Sequence, residues 1–302
     1  MTVVWNGIMP AITTPLREDG GVDHDFLVRH ARWMAEAAKA TAIIPLGSLG
    51  EGQTLVFEEK QAIIKSLVDG LDGLAPVVPG IGEAATHRAV ELARYAQQVG
   101  CGGLMVLPPY VHNGGDRELR AHFDAVISAT ELPCMLYNNP IAYGADMKPE
   151  AIAALAEAHP NLLAVKESSG DVRRVTALEA LLGDRLTLCV GLDDIVVEGV
   201  RAGATGWVAG LVNALPEESA RLFNLAKAGE TKACDELYAW FLPLLRLDVV
   251  PEFVQLIKLV QQEVGMGDER VRLPRLALAG AERERAMELI RASLAQRSEV
   301  GK

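Results

Sequence analysis

Residues 134–182 read CMLYNNPIAYGADMKPEAIAALAEAHPNLLAVKESSGDVRRVTALEALL. Two short apolar runs, Cys134 to Asn138 and Leu162 to Lys166, alternate with two longer segments of helical periodicity, Pro149 to Ala158 and Val172 to Leu182. The apolar runs are continuous, which is typical of parallel strands that are buried on both faces of a sheet. This stretch therefore predicts two consecutive βα units.

The same alternation runs through the chain to about residue 228. The other strand candidates are Gly7 to Thr13, Ala42 to Leu46, Val77 to Gly80, Gly103 to Leu107, Leu186 to Val190 and Thr205 to Val208. The helix candidates between them are Asp25 to Ala40, Phe57 to Leu71, Thr86 to Val99, Asp116 to Ala129, Asp194 to Arg201 and Pro216 to Lys227. Eight such units predict an α/β protein whose residues 1–228 form a (β/α)₈ TIM barrel.

Two further features of the chain bear on the architecture. A doubly wound open sheet is the alternative, but the first strand candidate runs into Thr13-Thr14-Pro15 and not into a Gly-x-Gly-x-x-Gly turn. After residue 228 the pattern becomes wholly helical, and we expect residues 229–302 to form a C-terminal helical extension packed on the barrel. Its helix candidates are Thr231 to Leu245, Phe253 to Val264 and Glu282 to Gln296.

The composition limits the possible partners and location. Of the 302 residues, 50% are hydrophobic and 23% are charged, so the chain can bury a large core. The formal net charge of -11 disfavours nucleic-acid and membrane partners, because those surfaces attract basic proteins. The first residues lack the features of a signal peptide, and no run of about 18 apolar residues is present. We therefore expect a soluble, cytoplasmic protein.

The cysteines and histidines predict no metal site. The cysteines are far apart without a Cys-x-x-Cys pair, and the histidines lack a His-x-x-x-His spacing. We expect the cysteines to be small core residues without disulfide or metal roles. They are Cys101, Cys134, Cys189 and Cys234.

Lys166 is the main catalytic candidate. It ends an apolar run and precedes the polar turn Glu167-Ser168-Ser169-Gly170-Asp171. Barrel enzymes carry their chemistry at the C-terminal strand ends, and Lys166 is the only lysine at such an end. An amine that is shielded from water is favoured in its neutral form, which can attack a carbonyl or imine carbon. The alternative is a solvated lysine just beyond a strand. Lys258 also has apolar neighbours, and we expect its ammonium to reach the surface from a packed helix.

Two other strand ends carry polar groups that suit this chemistry. In Gly47-Ser48-Leu49-Gly50-Glu51, the glycines permit a tight turn whose N–H groups can bind a carboxylate. Tyr137 lies near the end of the fifth strand candidate, where its phenol can relay protons to a substrate held by the lysine. The alternatives are an ordinary strand-to-helix turn and a tyrosine of the core.

These residues belong to two longer motifs. The first is Gly47-Ser48-Leu49-Gly50-Glu51-Gly52, with Glu59 seven residues beyond it. The second is Tyr137-Asn138-Asn139-Pro140, followed by Ala164-Val165-Lys166-Glu167-Ser168. With the early Pro10-Ala11-Ile12-Thr13-Thr14-Pro15, they resemble the dihydrodipicolinate synthase / N-acetylneuraminate lyase superfamily over essentially the whole chain.

The resemblance implies a homotetrameric barrel enzyme that needs no cofactor and forms a Schiff base with a 2-oxo acid. Lys166 is then the Schiff-base residue and Tyr137 the proton relay. The backbone N–H groups of Ser48 and Leu49 would hold the substrate carboxylate, and the Ser48 hydroxyl would assist proton transfer. Asn138, Asn139 and Tyr143 are candidates to contact a substrate hydroxyl, and Val208 is a further substrate-binding candidate.

Three features depart from the pattern of dihydrodipicolinate synthases. Val111 stands where those enzymes insert a second tyrosine into a neighbouring subunit, and Ala142 stands where they carry an arginine for the second substrate. Ser48-Leu49 replaces their Thr-Thr pair. These departures argue against the lysine-pathway condensation.

Five further segments are informative together: Gly47 to Glu51, Tyr137 to Tyr143, Lys166 to Arg174, Gly206 to Gly210 and Pro243 to Leu245. They carry a narrower resemblance to the 1-pyrroline-4-hydroxy-2-carboxylate deaminases of hydroxyproline breakdown. It implies conversion of that small cyclic imino acid to 2,5-dioxopentanoate and ammonia. Three alternatives stay open: an aldolase or dehydratase of a 2-oxo-3-deoxy sugar acid, a dihydrodipicolinate synthase-like lyase, and a non-catalytic binding barrel.

Overall fold

A parallel sheet rolled into a barrel is the centre of the fold. The computed structural model describes residues 1–109, 112 and 114–297. Within these residues seven strands pair in the order β1-β7-β6-β5-β4-β3-β2. They are β1 (Gly7–Pro10), β2 (Gly80–Ile81), β3 (Leu104–Val106), β4 (Cys134–Asn138), β5 (Leu162–Glu167), β6 (Thr187–Val190) and β7 (Gly206–Ala209).

The segment from Ala42 to Leu46 closes the ring between β1 and β2. It was predicted as a full strand, but it pairs only through the isolated parallel bridges Ala11 to Ile44 and Ile43 to Val77. The pairing is short because a proline at position 45 has no N–H to donate and Leu46 takes a left-handed φ of 65°. This segment occupies the eighth strand position of the barrel. The predicted (β/α)₈ barrel is therefore confirmed.

The helices lie where the periodicity predicted them, with ends that differ by a few residues. The barrel helices are α1 (His24–Ala37), α2 (Phe57–Leu71), α3 (Thr86–Gln98), α4 (Asp116–Ile127), α6 (Pro149–Ala158), α7 (Arg173–Leu182), α8 (Val196–Arg201) and α9 (Pro216–Ala228). The short helix α5 (Pro140–Tyr143) was not predicted. It begins because the Asn139 side chain accepts a hydrogen bond from the Ala142 amide and a proline occupies the first helical position.

The C-terminal helices are α10 (Thr231–Leu245), α11 (Phe253–Glu263) and α12 (Gly280–Ala295). Helix α10 packs on α9 and α12, and α11 packs on the turn that follows β7. In the described part of the chain, no helix is long and apolar enough to cross a membrane. The helices thus extend the same core, and α11 reaches the end of the barrel where the strands terminate.

Lys258 on α11 ties the C-terminal helices to the barrel. Its Nζ donates hydrogen bonds to Glu51 Oε1 at 2.6 Å, to the Thr14 carbonyl at 2.8 Å and to the Arg270 carbonyl at 2.6 Å. The Lys258 and Glu51 side chains are each only 2% exposed. The prediction that this ammonium reaches the surface is wrong, because three acceptors inside the protein replace its water.

The four cysteines are buried, as the sequence predicted, and each is a free thiol in this structure. Burial raises the pKa of the thiols of Cys101 and Cys134 to about 12. A thiol that stays protonated is a poor nucleophile and a poor metal ligand. These side chains therefore act as small apolar residues of the core.

Candidate active site

A cavity of about 450 Å³ opens at the C-terminal ends of the barrel strands. Parallel strands bring their C-terminal ends to one face, which is where TIM-barrel enzymes carry out their chemistry. The volume of the cavity suits a small molecule. Among the residues that line it are six predicted from the sequence: Ser48, Leu49, Tyr137, Asn139, Tyr143 and Lys166. The predicted residue Val208, near the end of β7, lines it too.

Lys166 projects into this cavity from β5. It pairs in register with Tyr137 on β4, and its Nζ lies 4.1 Å from the centre of the Tyr137 ring. The side chain is buried, with 6% exposure. No described residue accepts a hydrogen bond from the amine or forms an ion pair with it. The amine is thus shielded from bulk water but open to a molecule in the cavity, as a Schiff-base nucleophile requires.

Gly191, at the end of β6, makes room for this lysine. A Cβ added at Gly191 would lie 2.4 Å from Lys166 Cε and 2.1 Å from Ser168 Oγ. Both distances are far below van der Waals contact, so any side chain here must displace the lysine. The glycine therefore sets the position of the amine.

We expect Gly191→Ala to lower kcat by about 10²-fold while the protein still folds, because the methyl group displaces Lys166 from its reactive position. Turnover and the rate of borohydride trapping with pyruvate measure the effect. Gly115→Ala is the matched control, because an added Cβ there finds no atom closer than 3.4 Å. An undiminished kcat in Gly191→Ala would contradict the proposed crowding.

Hydroxyl groups from three segments meet beside the lysine. Asn139 Nδ2 donates to the Tyr137 hydroxyl at 2.9 Å, and the Ser48 hydroxyl forms a short hydrogen bond with the Tyr143 hydroxyl. The Tyr137 and Tyr143 rings pack edge to face, with centres 5.7 Å apart. Because Tyr137 accepts from Asn139, its own proton is available to a ligand. The arrangement places two phenols and a hydroxyl where protons can move to and from a bound substrate.

The turn at residues 47–51 presents free amides to the cavity. Neither the Ser48 N–H nor the Leu49 N–H donates a hydrogen bond to any described residue, and both residues line the cavity. Gly52 holds the turn tight, since a Cβ there would lie 2.3 Å from the Leu46 carbonyl oxygen. Two adjacent unpaired N–H groups can bind a carboxylate in an acidic protein.

Asn138 lies outside the cavity, unlike the other predicted site residues. Its Nδ2 donates to Glu167 at 3.1 Å and to Asp146 at 3.3 Å, while its Oδ1 accepts from the Met147 amide. The geometry therefore favours a positioning role over the substrate contact that we expected. Since every polar atom of the Asn138 amide is used, this side chain fastens the ends of β4 and β5 together.

The positions that depart from the pattern of dihydrodipicolinate synthases differ in where they lie relative to the cavity and to the described residues. Val111 lies outside the described residues. Ala142 lines the cavity and brings no charge to it. However, Arg275, from the segment between α11 and α12, also lines the cavity, and it was not predicted from the sequence. It follows the motif by more than 100 residues, so no local pattern associates it with the site.

Two aspartates near Lys166 were also missed. Asp193 is fully buried and accepts hydrogen bonds from the Trp207 indole at 2.9 Å and from the Gly210 and Leu211 amides at 3.1 and 2.7 Å. Burial raises its pKa to about 6, although these donors act in the opposite direction. Asp248 lines the cavity itself. Both lie outside the two motifs that drew attention to Lys166.

The sequence of the chain as a whole identifies its family. A model of the dihydrodipicolinate synthetase family matches residues 4–293. The chain belongs to this family. It is 32% identical over 290 residues to the 4-hydroxy-tetrahydrodipicolinate synthase of Acidithiobacillus ferrooxidans, covering 95% of this chain and 98% of that protein. The membership makes the chain an enzyme of the Schiff-base lyase type, in agreement with the position of Lys166.

Solved structures of the dihydrodipicolinate synthetase family agree with this fold. The dihydrodipicolinate synthase of Bacillus anthracis matches with a TM-score of 0.91 at 27% identity, covering 96% of this chain and 99% of that one. The Acinetobacter baumannii dihydrodipicolinate synthase, solved in complex with pyruvate, matches with a TM-score of 0.90 at 29% identity over 96% and 99%. The fold is therefore that of the family, and the substrate has to be inferred from the cavity.

Proposed function

We propose that this protein deaminates 1-pyrroline-4-hydroxy-2-carboxylate to 2,5-dioxopentanoate and ammonia. The observation that carries the proposal is the hydrogen bond between Ser48 and Tyr143 beside Lys166. It supplies a second tyrosine from the same chain, so proton transfer needs no tyrosine at position 111. A unimolecular reaction of one small imino acid also needs no cation at position 142, where Ala142 lines the cavity.

The substrate is held and opened by the residues already described. The free amides of Ser48 and Leu49 bind the carboxylate on C2, which directs C2 toward Lys166. The lysine amine attacks C2 of the cyclic imine, and the C2–N1 bond breaks, so that the ring nitrogen becomes an amine on C5. The lysine then holds C2 as a protonated imine, which acidifies the protons on C3.

The remaining steps are proton transfers and hydrolysis. Tyr137, having given its own proton to the departing ring nitrogen, removes a C3 proton as the phenolate, and the hydroxyl on C4 leaves as water when an acid in the cavity protonates it. The unsaturated amine isomerises to an imine at C5, which water hydrolyses to ammonia and an aldehyde. A second water releases 2,5-dioxopentanoate from Lys166. One dehydration and two hydrolyses consume one water overall, and the Schiff base serves as the electron sink.

A pyruvate-dependent lyase or synthase reaction is the second candidate, because Arg275 lines the cavity. Its guanidinium can attract the anionic or hydroxylated end of a longer substrate, in place of the cation that Ala142 lacks. The curated relatives named as 4-hydroxy-tetrahydrodipicolinate synthases favour the same candidate.

One assay separates these two candidates. We expect the purified protein to release ammonia and 2,5-dioxopentanoate from 4-hydroxy-1-pyrroline-2-carboxylate, as measured by ammonia detection and mass spectrometry. The deaminase is contradicted if no ammonia is released from this compound and the protein instead acts on pyruvate. It would then release pyruvate from a 2-oxo-3-deoxy sugar acid, or consume pyruvate together with an aldehyde acceptor. The homotetramer and the cytoplasmic location stay predictions.

A further inference from the structure

Asp248 places a carboxyl group in the wall of the catalytic cavity. It lies in the short 3₁₀ turn Arg246–Asp248 that follows α10, so a C-terminal helix delivers it to the barrel. The carboxyl packs on Gly210 just beyond β7, where an added Cβ would lie 2.1 Å from Asp248 Oδ1. The absence of a side chain at Gly210 thus lets this carboxyl approach the strand ends.

Asp248 flanks Lys166 on the side opposite to Tyr137. In the sheet, Tyr137 lies on β4 before the lysine strand, whereas Gly210 follows β7, two strands beyond it. A substrate held by Lys166 therefore has a phenol on one side and a carboxyl on the other. Two proton-transfer groups on opposite sides can serve different carbons of one substrate.

The bonding of Asp248 differs from that of its neighbour Asp193. Three donors hold the Asp193 carboxylate, which makes it a structural clamp on the end of β7. Among the described residues, none donates a hydrogen bond to the Asp248 carboxyl. An acid whose lone pairs and proton are uncommitted within the protein is available to a ligand in the cavity.

The surroundings of Asp248 favour its protonated form. Burial raises the pKa of this carboxyl well above its usual value, and the negative charges of Asp193 and Asp194 act in the same direction. The Lys166 ammonium acts against them. Once Lys166 has bonded to a substrate, the charge on its nitrogen changes with each step of the reaction, and its effect on Asp248 changes with it. A neutral carboxyl can donate a proton, which a carboxylate cannot.

We propose that Asp248 is the general acid that protonates the C4 hydroxyl as it leaves. This role rests on the proposed deaminase function. The carboxyl donates its proton to the C4 oxygen while the C4–O bond breaks with its electron pair on oxygen, so water departs. The enamine electrons form the C3–C4 double bond and restore the C2 iminium on Lys166. The resulting carboxylate then accepts the proton lost from C5, which returns Asp248 to its neutral form.

Asp248→Asn tests the role, since the amide keeps the size of the neutral acid and cannot donate an acidic proton. We expect kcat for ammonia release to fall by about 10²–10⁴-fold. Borohydride trapping of Lys166 with pyruvate should stay at the wild-type level. Trapping with 4-hydroxy-1-pyrroline-2-carboxylate should accumulate an adduct that retains the hydroxyl and is one water heavier than the dehydrated adduct. Asp248→Glu should recover part of the turnover.

Asp235→Asn is the matched control, because Asp235 lies on α10, pairs with Arg201 at the exposed surface and does not line the cavity. It should keep near wild-type turnover. Wild-type turnover in Asp248→Asn would overturn the general-acid role. A loss of pyruvate trapping as large as the loss of turnover would overturn it too, because it indicates that Asp248 only positions Lys166. Failure of the wild-type protein to release ammonia would instead reject the deaminase itself, which separates the two proposals.

Discussion

Lys166→Ala is expected to lower turnover by at least about 10⁴-fold while the protein keeps its fold. The variant loses the atom that bonds to C2, and no other described lysine lines the cavity. The fold should tolerate the change because no described residue depends on the Lys166 amine for a hydrogen bond or ion pair. Ammonia release, circular dichroism and the mass of the protein after borohydride treatment with pyruvate measure the outcome.

Lys60→Arg is the control for this experiment. Lys60 is another buried lysine, but its Nζ pairs with Glu83 and it does not line the cavity. The control should gain the mass of the reduced pyruvate adduct as the wild type does, whereas Lys166→Ala should gain none. Normal turnover or labelling in Lys166→Ala would end the Schiff-base mechanism.

Lys258→Met is expected to destabilise the protein by about 3–5 kcal/mol, because it leaves the buried Glu51 carboxylate without its partner. The same change frees the Thr14 and Arg270 carbonyls that now accept from Lys258. Burial already lowers the pKa of this ammonium, which shows how strongly its charge depends on the acceptors around it. The free energy of unfolding from urea titration measures the loss.

The double variant Glu51→Gln/Lys258→Met separates charge from packing. Its amide can still accept from the Arg272 N–H, which now bonds Glu51 Oε2 at 3.0 Å, without burying a charge. We expect it to be clearly more stable than Lys258→Met alone. Equal stability of the single and double variants would show that the unpaired charge is not the cause. Glu51 also ends the turn of Ser48 and Leu49, so KM should rise in both variants.

The fold was largely predictable because its signal is local and repeated. Each strand is a short apolar run and each helix an amphipathic segment, so their order alone predicted the barrel. The prediction failed in detail between Ala42 and Leu46, where a proline and a left-handed leucine shorten the pairing. It also missed α5, whose four residues are set by one asparagine cap.

The site was predictable where its residues end strands. Lys166 and Tyr137 could be paired from the sequence because parallel strands bring their ends to one face. Asn138, which adjoins Tyr137, faces away from the cavity, since successive residues of a strand point to opposite sides. Once Tyr137 is assigned to the cavity, the same alternation assigns Asn138 to the other side, so the sequence already contained this signal.

The sequence by itself determined the barrel, the family motifs and the lysine at the end of a buried strand, because each is encoded in residues close along the chain. Only the tertiary structure decided that Asp248 and Arg275 line the cavity and that Lys258 is buried against Glu51. The C-terminal helices bring these groups to the barrel across more than 80 residues of sequence from Lys166 or Glu51. Such contacts form because the helices bury their apolar faces against the strand ends. No local sequence pattern indicates which polar groups of the C-terminal segment then reach the cavity.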